Sequence, residues 1–210
     1  FLKILAVFSP KIKLFVDGRR NVFEQLENRI AKTDKSIWFH AASLGEFEQG
    51  RPLLESLKKQ YPNYFILLSF FSPSGYEVRK NYEGANHVCY LPMDGPMNAK
   101  KFYDIVKPSL VLFVKYEFWY YYSLEASKRK IPMLLVSGIF RPSQIFFQFY
   151  GGFYRKLLSH FSHLFVQEQS SFDLLKGIGL ESKSSISGDT RFDRVISIVQ
   201  DFEPIEAIAH

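Results

Sequence analysis

The strongest constraint on the fold is a series of short, continuously apolar runs that alternate with helical patterns. The clearest runs are "SIWFHA" (36–41), "YFILLSF" (64–70) and "SLVLFVK" (109–115). The others are "HVCYLP", "PMLLVSG", "HLFVQ" and "SSISG". Strands without polar alternation must be covered on both faces, and intervening helices provide that cover. The pattern predicts an α/β fold with a Rossmann-like doubly wound parallel sheet.

The strand-like runs all lie within residues 34–195, which we predict to be one domain. Residues 1–33 form a helical lead that begins "FLKILAVFSPKIKLFV". This opening is shorter than the roughly 20 apolar residues of a spanning helix and is broken by three lysines and a proline. It suits an interfacial segment, the tail of an N-terminal membrane anchor, or a first helix packed on its own domain. We expect residues 196–210 to begin a linker toward a second domain that this chain does not contain.

Composition limits the partners of the domain. The 210 residues are 47% hydrophobic and carry a net charge of +6, which favours an anionic partner such as a phosphate or an acidic membrane surface. No run of Lys and Arg resembles a nucleic-acid-binding arm, so we expect no nucleic-acid partner. Aromatic residues make up 17%, which suits either a core or an apolar partner. The single cysteine, Cys89, excludes an internal disulfide and any multi-cysteine metal site.

Ligands of doubly wound sheets bind where the carboxyl ends of the strands meet, so residues just after the strand-like runs are the site candidates. No dinucleotide fingerprint or P-loop follows any run, and the five histidines form no metal pattern. We therefore predict no cofactor and no metal, and interpret the histidines as structural. The candidates for substrate contact or catalysis are Ser43, Gly45, Glu46, Ser74, Gly75, Lys115, Glu117, Arg141 and Arg191.

The stretch "WFHAASLGEFEQG" (38–50) permits two interpretations of Glu46. Ser43 and Glu46 have the spacing of a capping box, in which each side chain binds the backbone of the other residue. Glu46 would also stand at the ligand edge of the sheet, where Gly45 allows close approach and first-turn amides attract anions. The spacing alone does not separate a cap from a catalytic base.

The other candidates have comparable alternatives. Ser74 and Gly75 either line the same crevice or belong to a serine-capped turn. Lys115 and Glu117 follow an apolar strand, where charges are costly unless they are solvated, paired or used, so they form either a surface pair or part of a site. Arg141 precedes an aromatic stretch (142–159) that we predict to be helical and that suits either a lipid interface or a core.

Taken together, these segments resemble the N-terminal half of the bacterial 3-deoxy-D-manno-octulosonic acid (Kdo) transferase family. The matching pieces, in the family's order, are "WFHAASLGE", "FSPSGYE", "YLPMDGP", "PSLVLFVKYEFW", "RKIPMLLVSGIF" and "VQEQSSFDLLKGIGL…SGDTRFDR". The combination of the S-x-G-E element with the later E-x-W element is specific, whereas single pieces would be weak. Relatives often carry an acidic residue in place of Lys115 and a proline in place of Tyr120, which leaves the role of Lys115 open.

The resemblance implies the N-terminal domain of a GT-B glycosyltransferase, in which two Rossmann-like domains face each other across a cleft. Such an enzyme transfers Kdo from CMP-Kdo to a lipid A precursor with inversion, needs no metal, and works at the cytoplasmic face of the inner membrane. It also implies that this half handles the acceptor, that Glu46 is the catalytic base and that Glu117 is the glutamate of the E-x-W element. The chain alone is expected to fold but to transfer no sugar.

Two alternatives remain beside this function. One is another GT-B sugar transferase with a different acceptor. The other is a non-catalytic α/β module that binds a membrane surface.

Overall fold

The computed structural model describes residues 9–30 and 35–188 of the chain. The first eight residues, the predicted linker at 196–210 and the candidate Arg191 lie outside the described residues. The predicted division into a lead, a domain and a linker therefore stays a prediction.

Strands and helices alternate along the described chain. The strands are β1 (Ser36–Ala41), β2 (Phe65–Phe70), β3 (His87–Tyr90), β4 (Pro108–Val114), β5 (Met133–Gly138), β6 (His163–Val166) and β7 (Ser184–Ile186). The α-helices are α1 (Pro10–Asp17), α2 (Val22–Ile30), α3 (Leu44–Gln60), α4 (Pro73–Arg79), α5 (Pro96–Val106), α6 (Tyr120–Lys128), α7 (Gly152–Ser159) and α8 (Gln169–Gly177). Two short 3-10 helices cover Ile145–Phe147 and Glu181–Lys183.

The seven strands form one parallel sheet in the order β3-β2-β1-β4-β5-β6-β7. The predicted Rossmann-like doubly wound sheet is confirmed. From β1 the chain adds β2 and β3 on one side of the sheet. It then crosses to the other side of β1 and adds β4, β5, β6 and β7. The topological switch point therefore lies between β1 and β4, which is where ligands of such sheets bind.

The apolar strands are buried on both faces, as their lack of alternation predicts. One face packs against a core that includes Trp38, Phe102 and Tyr122, and the other against a core that includes Phe39, Phe47 and Leu54. Trp38 and Phe39 are adjacent on β1 and point to opposite faces, because successive side chains of a strand alternate.

One helical prediction is corrected. We expected one helix across residues 142–159, but the structure has a short 3-10 helix and then α7, because Gln148 is extended and ends the first turn. Within the predicted helical lead, α1 and α2 are separate helices joined by a turn that begins at Gly18. Gly18 lies against the ring of Tyr90, where a Cβ would collide.

Arg19 fixes this turn to the sheet. Its guanidinium donates hydrogen bonds to the carbonyl oxygens of Leu91 at 2.8 Å and Phe71 at 2.5 Å, just beyond β3 and β2. It also lies 3.8 Å from the ring centroid of Phe15. Burial lowers the pKa of Arg19 to about 10. The turn between α1 and α2 is therefore held at the carboxyl edge of the sheet. No helix within the described ranges is long and apolar enough to cross a membrane.

Candidate active site

The switch point brings Glu46 and Glu117 to one edge of the sheet. β1 ends at Ala41 and leads into α3, whose first turn contains Glu46. The neighbouring β4 ends at Val114 and leads through Glu117 into α6. Because β1 and β4 are parallel and adjacent, both loops open at the same edge.

Glu46 is held by the start of α3. One carboxylate oxygen, Oε2, accepts the Ser43 N–H at 3.0 Å and the Ser43 hydroxyl at 3.3 Å. The predicted capping box is therefore present. Within the described ranges, the other oxygen, Oε1, has no hydrogen-bond partner, so capping leaves half of the carboxylate available to a ligand.

The surroundings of Glu46 favour its protonated form. Burial raises the pKa of the Glu46 carboxyl, and the negative charge of Glu117 raises it further, while the Ser43 hydrogen bonds and His40 act in the opposite direction. A carboxylate with a raised pKa is a stronger proton acceptor when it is ionised, which is what general-base catalysis requires.

Glu117 is almost completely buried, with 6% of its surface exposed. Its Oε2 lies 2.8 Å from His40 Nε2 and accepts the indole N–H of Trp119 at 2.6 Å. The alternative in which Glu117 pairs with Lys115 on the surface is wrong. Lys115 has a left-handed backbone with φ of 63°, and Glu117 turns inward to the two nitrogen donors.

The loop that carries Glu117 is fixed at both ends. Its first residue, Lys115, donates its backbone N–H to the Val136 carbonyl at 2.9 Å on the neighbouring strand β5. At its other end, Trp119 is the N-cap residue of α6, and the Asp94 carboxylate accepts the Tyr121 N–H at 3.1 Å. The position of Glu117 therefore depends on β5 and on the loop after β3.

Sequence reasoning interpreted His40 as structural and missed its contact with Glu117. His40 is a fully buried residue of β1, and its Nδ1 lies 2.8 Å from the Ser69 hydroxyl oxygen on β2. The available signal was a histidine inside a continuously apolar strand, since a buried polar side chain needs partners. Those partners come from two other strand ends and could not be read from the local sequence.

A cavity of about 330 Å³ opens beside these residues. Its wall is mainly aromatic, and Glu117 is its charged member. The lining residues are Phe71, Tyr116, Glu117, Phe118 and Trp119. Phe71 and Trp119 pack with ring centroids 4.6 Å apart and join the ends of β2 and β4. An aromatic wall with one carboxylate suits a ligand that has both apolar and hydroxyl-bearing surfaces.

The small residues among the site candidates have different surroundings in the structure. Gly45 is exposed, and nothing lies within 4 Å of the place a Cβ would take, so its backbone is open to a ligand. Gly75 is buried, and a Cβ there would collide with the ring of Phe70, so packing accounts for that glycine. The exposed Ser74 hydroxyl lies 2.7 Å from the Ser72 hydroxyl at the start of α4. The substrate-contact roles of all three stay predictions.

The basic candidates lie along the same edge. Among the described residues, the Lys115 and Arg141 side chains have no hydrogen-bond or ion-pair partner, and Arg141 is exposed just beyond β5. Ser137, in β5, shares the left-handed backbone of Lys115 with φ of 56°. Such residues cost about 1–3 kcal/mol each and cluster at functional sites. Arg191 lies outside the described residues, and its role stays a prediction.

The site can therefore offer a carboxylate base, a second fixed negative charge and two unpaired cations. In the described part of the chain, no group of three or more His, Cys, Asp or Glu side chains is arranged to hold a metal ion. The chemistry available from these side chains is proton acceptance and charge recognition.

A doubly wound parallel sheet whose candidate residues lie at its switch point defines a Rossmann-like domain. A model of the family "3-Deoxy-D-manno-octulosonic-acid transferase (kdotransferase)" matches residues 18–194. The chain belongs to the Kdo transferase family.

Curated relatives agree with this membership. The chain is 28% identical to the Kdo transferase of Haemophilus influenzae over 139 residues, which cover 66% of this chain and 32% of that protein. It is 33% identical to the enzyme of Aquifex aeolicus over 111 residues, which cover 52% of this chain and 30% of that protein. The chain thus matches about a third of the length of these relatives.

Solved structures share the fold. The UDP-GlcNAc 2-epimerase of Neisseria meningitidis, determined with UDP-GlcNAc bound, has a TM-score of 0.55 and 17% identity, covering 80% of this chain and 50% of that chain. The epimerase of Methanocaldococcus jannaschii has a TM-score of 0.52 and 18% identity, with 79% and 48% coverage. At these identities the likeness concerns the fold.

The raised pKa of Glu46 predicts how Glu46→Gln changes stability with pH. A carboxyl whose pKa is higher in the folded state stabilises the fold below its unfolded pKa, and this contribution is lost as pH rises through the folded pKa. We expect the variant to gain stability relative to the wild type as pH rises from acid to neutral. Urea unfolding of both chains across this range measures the difference.

Glu83→Gln is the matched control, because Glu83 is an exposed carboxylate in the loop before β3. Its free energy of unfolding should follow that of the wild type at each pH. A Glu46→Gln variant that loses stability relative to the wild type as pH rises would contradict the raised pKa.

Proposed function

We propose that this chain is the acceptor-binding half of an inverting glycosyltransferase that transfers Kdo from CMP-Kdo to a lipid A precursor. The observation that carries the proposal is the Glu46 carboxylate, which is partly buried beside Glu117 at the switch point of a Kdo transferase family domain. The complete protein's donor, acceptor and stereochemistry are part of the proposal. So is the absence of any cofactor or metal requirement.

In the proposed reaction, Glu46 acts as the general base. An acceptor hydroxyl gives its proton to Glu46 Oε1, the oxygen that Ser43 does not bind. The acceptor oxygen then forms a bond with the anomeric carbon of Kdo, and the bond from that carbon to the CMP phosphate breaks. Attack from the face opposite to CMP inverts the anomeric centre. The first turn of α3 holds the carboxylate in place, so its position does not depend on substrate.

We assign the acceptor to this chain and the nucleotide donor to residues outside it. The aromatic cavity beside Glu117 supports this division, since it offers apolar surface and a carboxylate at the sheet edge where Glu46 lies. The net charge of +6 and the unpaired cations, Lys115 and Arg141, suit the phosphate groups of the acceptor.

The proposed location is the cytoplasmic face of the inner membrane, with the domain bound to the membrane surface. An exposed group of aromatic residues supports binding to a membrane surface. We call it the aromatic patch, and its members are Phe149 (94% exposed), Tyr150 (62%), Phe153 (54%) and Tyr154 (38%). Rings with apolar bodies and polar ends favour the boundary between lipid and water.

Glu46→Gln tests the catalytic assignment in the protein that carries this chain together with its donor domain. A glutamine amide can still cap α3 through its oxygen but cannot accept the acceptor's proton. We expect kcat to fall by about 10²–10⁴-fold, with unchanged donor binding. Transfer rates with CMP-Kdo and a lipid A precursor measure the effect.

Two comparisons make this test decisive. Glu83→Gln should retain normal turnover, since Glu83 is exposed away from the site. Ser43→Ala should cost roughly 0.5–2 kcal/mol of stability by weakening the cap. If Glu46→Gln turned over normally while Ser43→Ala was destabilised, Glu46 would be a cap and not the base.

Lys115→Gln tests the contact with acceptor phosphate. Loss of one charge-assisted contact of about 1.5–3 kcal/mol should raise the acceptor KM by about 10-fold or more and leave kcat nearly unchanged. The matched control is Lys130→Gln, since Lys130 is also left-handed, with φ of 56°, but precedes β5 at the opposite edge of the sheet. If Lys115→Gln impaired a dephosphorylated acceptor equally, the contact would not be with phosphate.

Vesicle sedimentation of the chain tests the membrane surface. We expect binding to vesicles that contain phosphatidylglycerol, and weaker binding as salt screens the charge attraction. Phe149→Ser combined with Phe153→Ser should reduce binding, whereas Val78→Ser, at an exposed apolar residue of α4, should not. Equal binding by the two variants would exclude the aromatic patch as the contact.

A further inference from the structure

We propose that His40 is a positioning residue of the reaction, which holds the Glu117 carboxylate in a single orientation at the edge of the active-site cavity. The inference rests on the proposed function for its effect on turnover. Its structural part concerns only the contact between two side chains and can be tested without the reaction.

The contact is formed in the interior of the protein. His40 Nε2 lies 2.8 Å from Glu117 Oε2, and the two side chains are 0% and 8% exposed. His40 belongs to the central strand β1, where it is in register with Ser69 on β2 and Phe113 on β4. The ring packs 5.0 Å from the Phe113 ring, so it has a fixed place between the strands.

A second set of hydrogen bonds orients the ring. His40 Nδ1 lies 2.8 Å from the Ser69 hydroxyl oxygen and 3.0 Å from the Ser69 carbonyl oxygen. The Trp38 indole N–H donates to the same hydroxyl oxygen at 2.7 Å, which leaves the hydroxyl hydrogen free for another acceptor. Nδ1 can therefore be satisfied by Ser69 in either protonation state, while the hydrogen on Nε2 is donated to Glu117.

The bonds to Glu117 converge on one of its oxygens. Oε2 accepts both His40 Nε2–H and Trp119 Nε1–H, the latter at 2.6 Å. Oε1 has no hydrogen-bond partner within residues 9–30 and 35–188. Two donors on one oxygen fix the plane of the carboxylate and leave the second oxygen for a ligand, because an ionised carboxylate can only accept hydrogen bonds.

Removal of His40 would leave a buried carboxylate with one donor instead of two. A buried charge that loses a partner moves toward water or takes up a proton. Either change alters the charge that lies near Glu46, and that charge is the second largest cause of the raised pKa of Glu46. Removal of the His40 side chain should therefore act mainly by lowering kcat.

Two matched substitutions separate positioning from packing. Glutamine can place its amide nitrogen near the position of Nε2 and keep the bond to Glu117. Asparagine reaches only the position of Nδ1 and keeps the bond to Ser69. Both are polar and neutral. If His40 had only a packing role, the shorter amide would lose stability in proportion to the volume removed, without a matching loss of kcat.

Turnover is measured in the protein that contains the donor domain. We expect His40→Asn to lower kcat by about 10²-fold, the effect of a small misplacement in an active site, with little change in the acceptor KM. His40→Gln should restore most of the rate. In a Glu117→Gln background, His40→Asn should have little further effect, because residues that act through one another are not additive. His163→Gln is the control. His163 begins β6, and its side chain contacts Ser185 on β7.

The contact itself is measured by NMR on the isotope-labelled 210-residue chain, using the indole N–H resonance of Trp119. This resonance should move in His40→Asn, move less in His40→Gln and stay unchanged in His163→Gln. Absence of Kdo transfer by the wild type would contradict the proposed function and leave the NMR test intact. Three results would overturn the positioning role. They are additive losses of kcat for His40→Asn and Glu117→Gln, equal kcat values for the two His40 variants, and an unmoved Trp119 resonance in His40→Asn.

Discussion

The candidate site depends on the parallel pairing of β1 with β4 at the centre of the sheet. This pairing brings together two strands that are distant in sequence, and it places the ends of both at one edge of the sheet. Glu46 then lies in the first turn of the helix after one strand, and Glu117 lies in the loop after the other. The crevice between them results from the topology of the fold, which explains why domains of this kind bind ligands there.

Placing two carboxylates near each other below the surface is costly, and the structure offsets the cost differently for each. Glu46 faces the positive end of a helix and binds Ser43. Glu117 receives two nitrogen donors inside the protein. Glu46 keeps a raised pKa because these contacts only partly oppose its burial and the charge of Glu117. One carboxylate is therefore poised to take a proton beside another that is firmly held.

Local patterns predicted the strands, the helix start at Ser43 and the edge on which the candidates lie. The contact between His40 and Glu117 spans 77 residues and could not be predicted, because it depends on which strand lies beside β1. Gly75 was predicted either to line the crevice or to belong to a serine-capped turn. A Cβ there would collide with the ring of Phe70, a contact that only the packed structure shows. The helix predicted across residues 142–159 failed because aromatic periodicity persisted through an extended break at Gln148.

Glu46 is the proposed base, and burial and the charge of Glu117 raise its pKa. The most direct measurement is an NMR titration of the Glu46 side-chain carboxyl in the chain and in its Glu117→Gln variant. We expect the Glu46 pKa to lie above its ordinary value in the wild type and to fall in the variant, because one of its two raising causes is removed. An ordinary Glu46 pKa in the wild type, unchanged in the variant, would show that burial and Glu117 do not raise it.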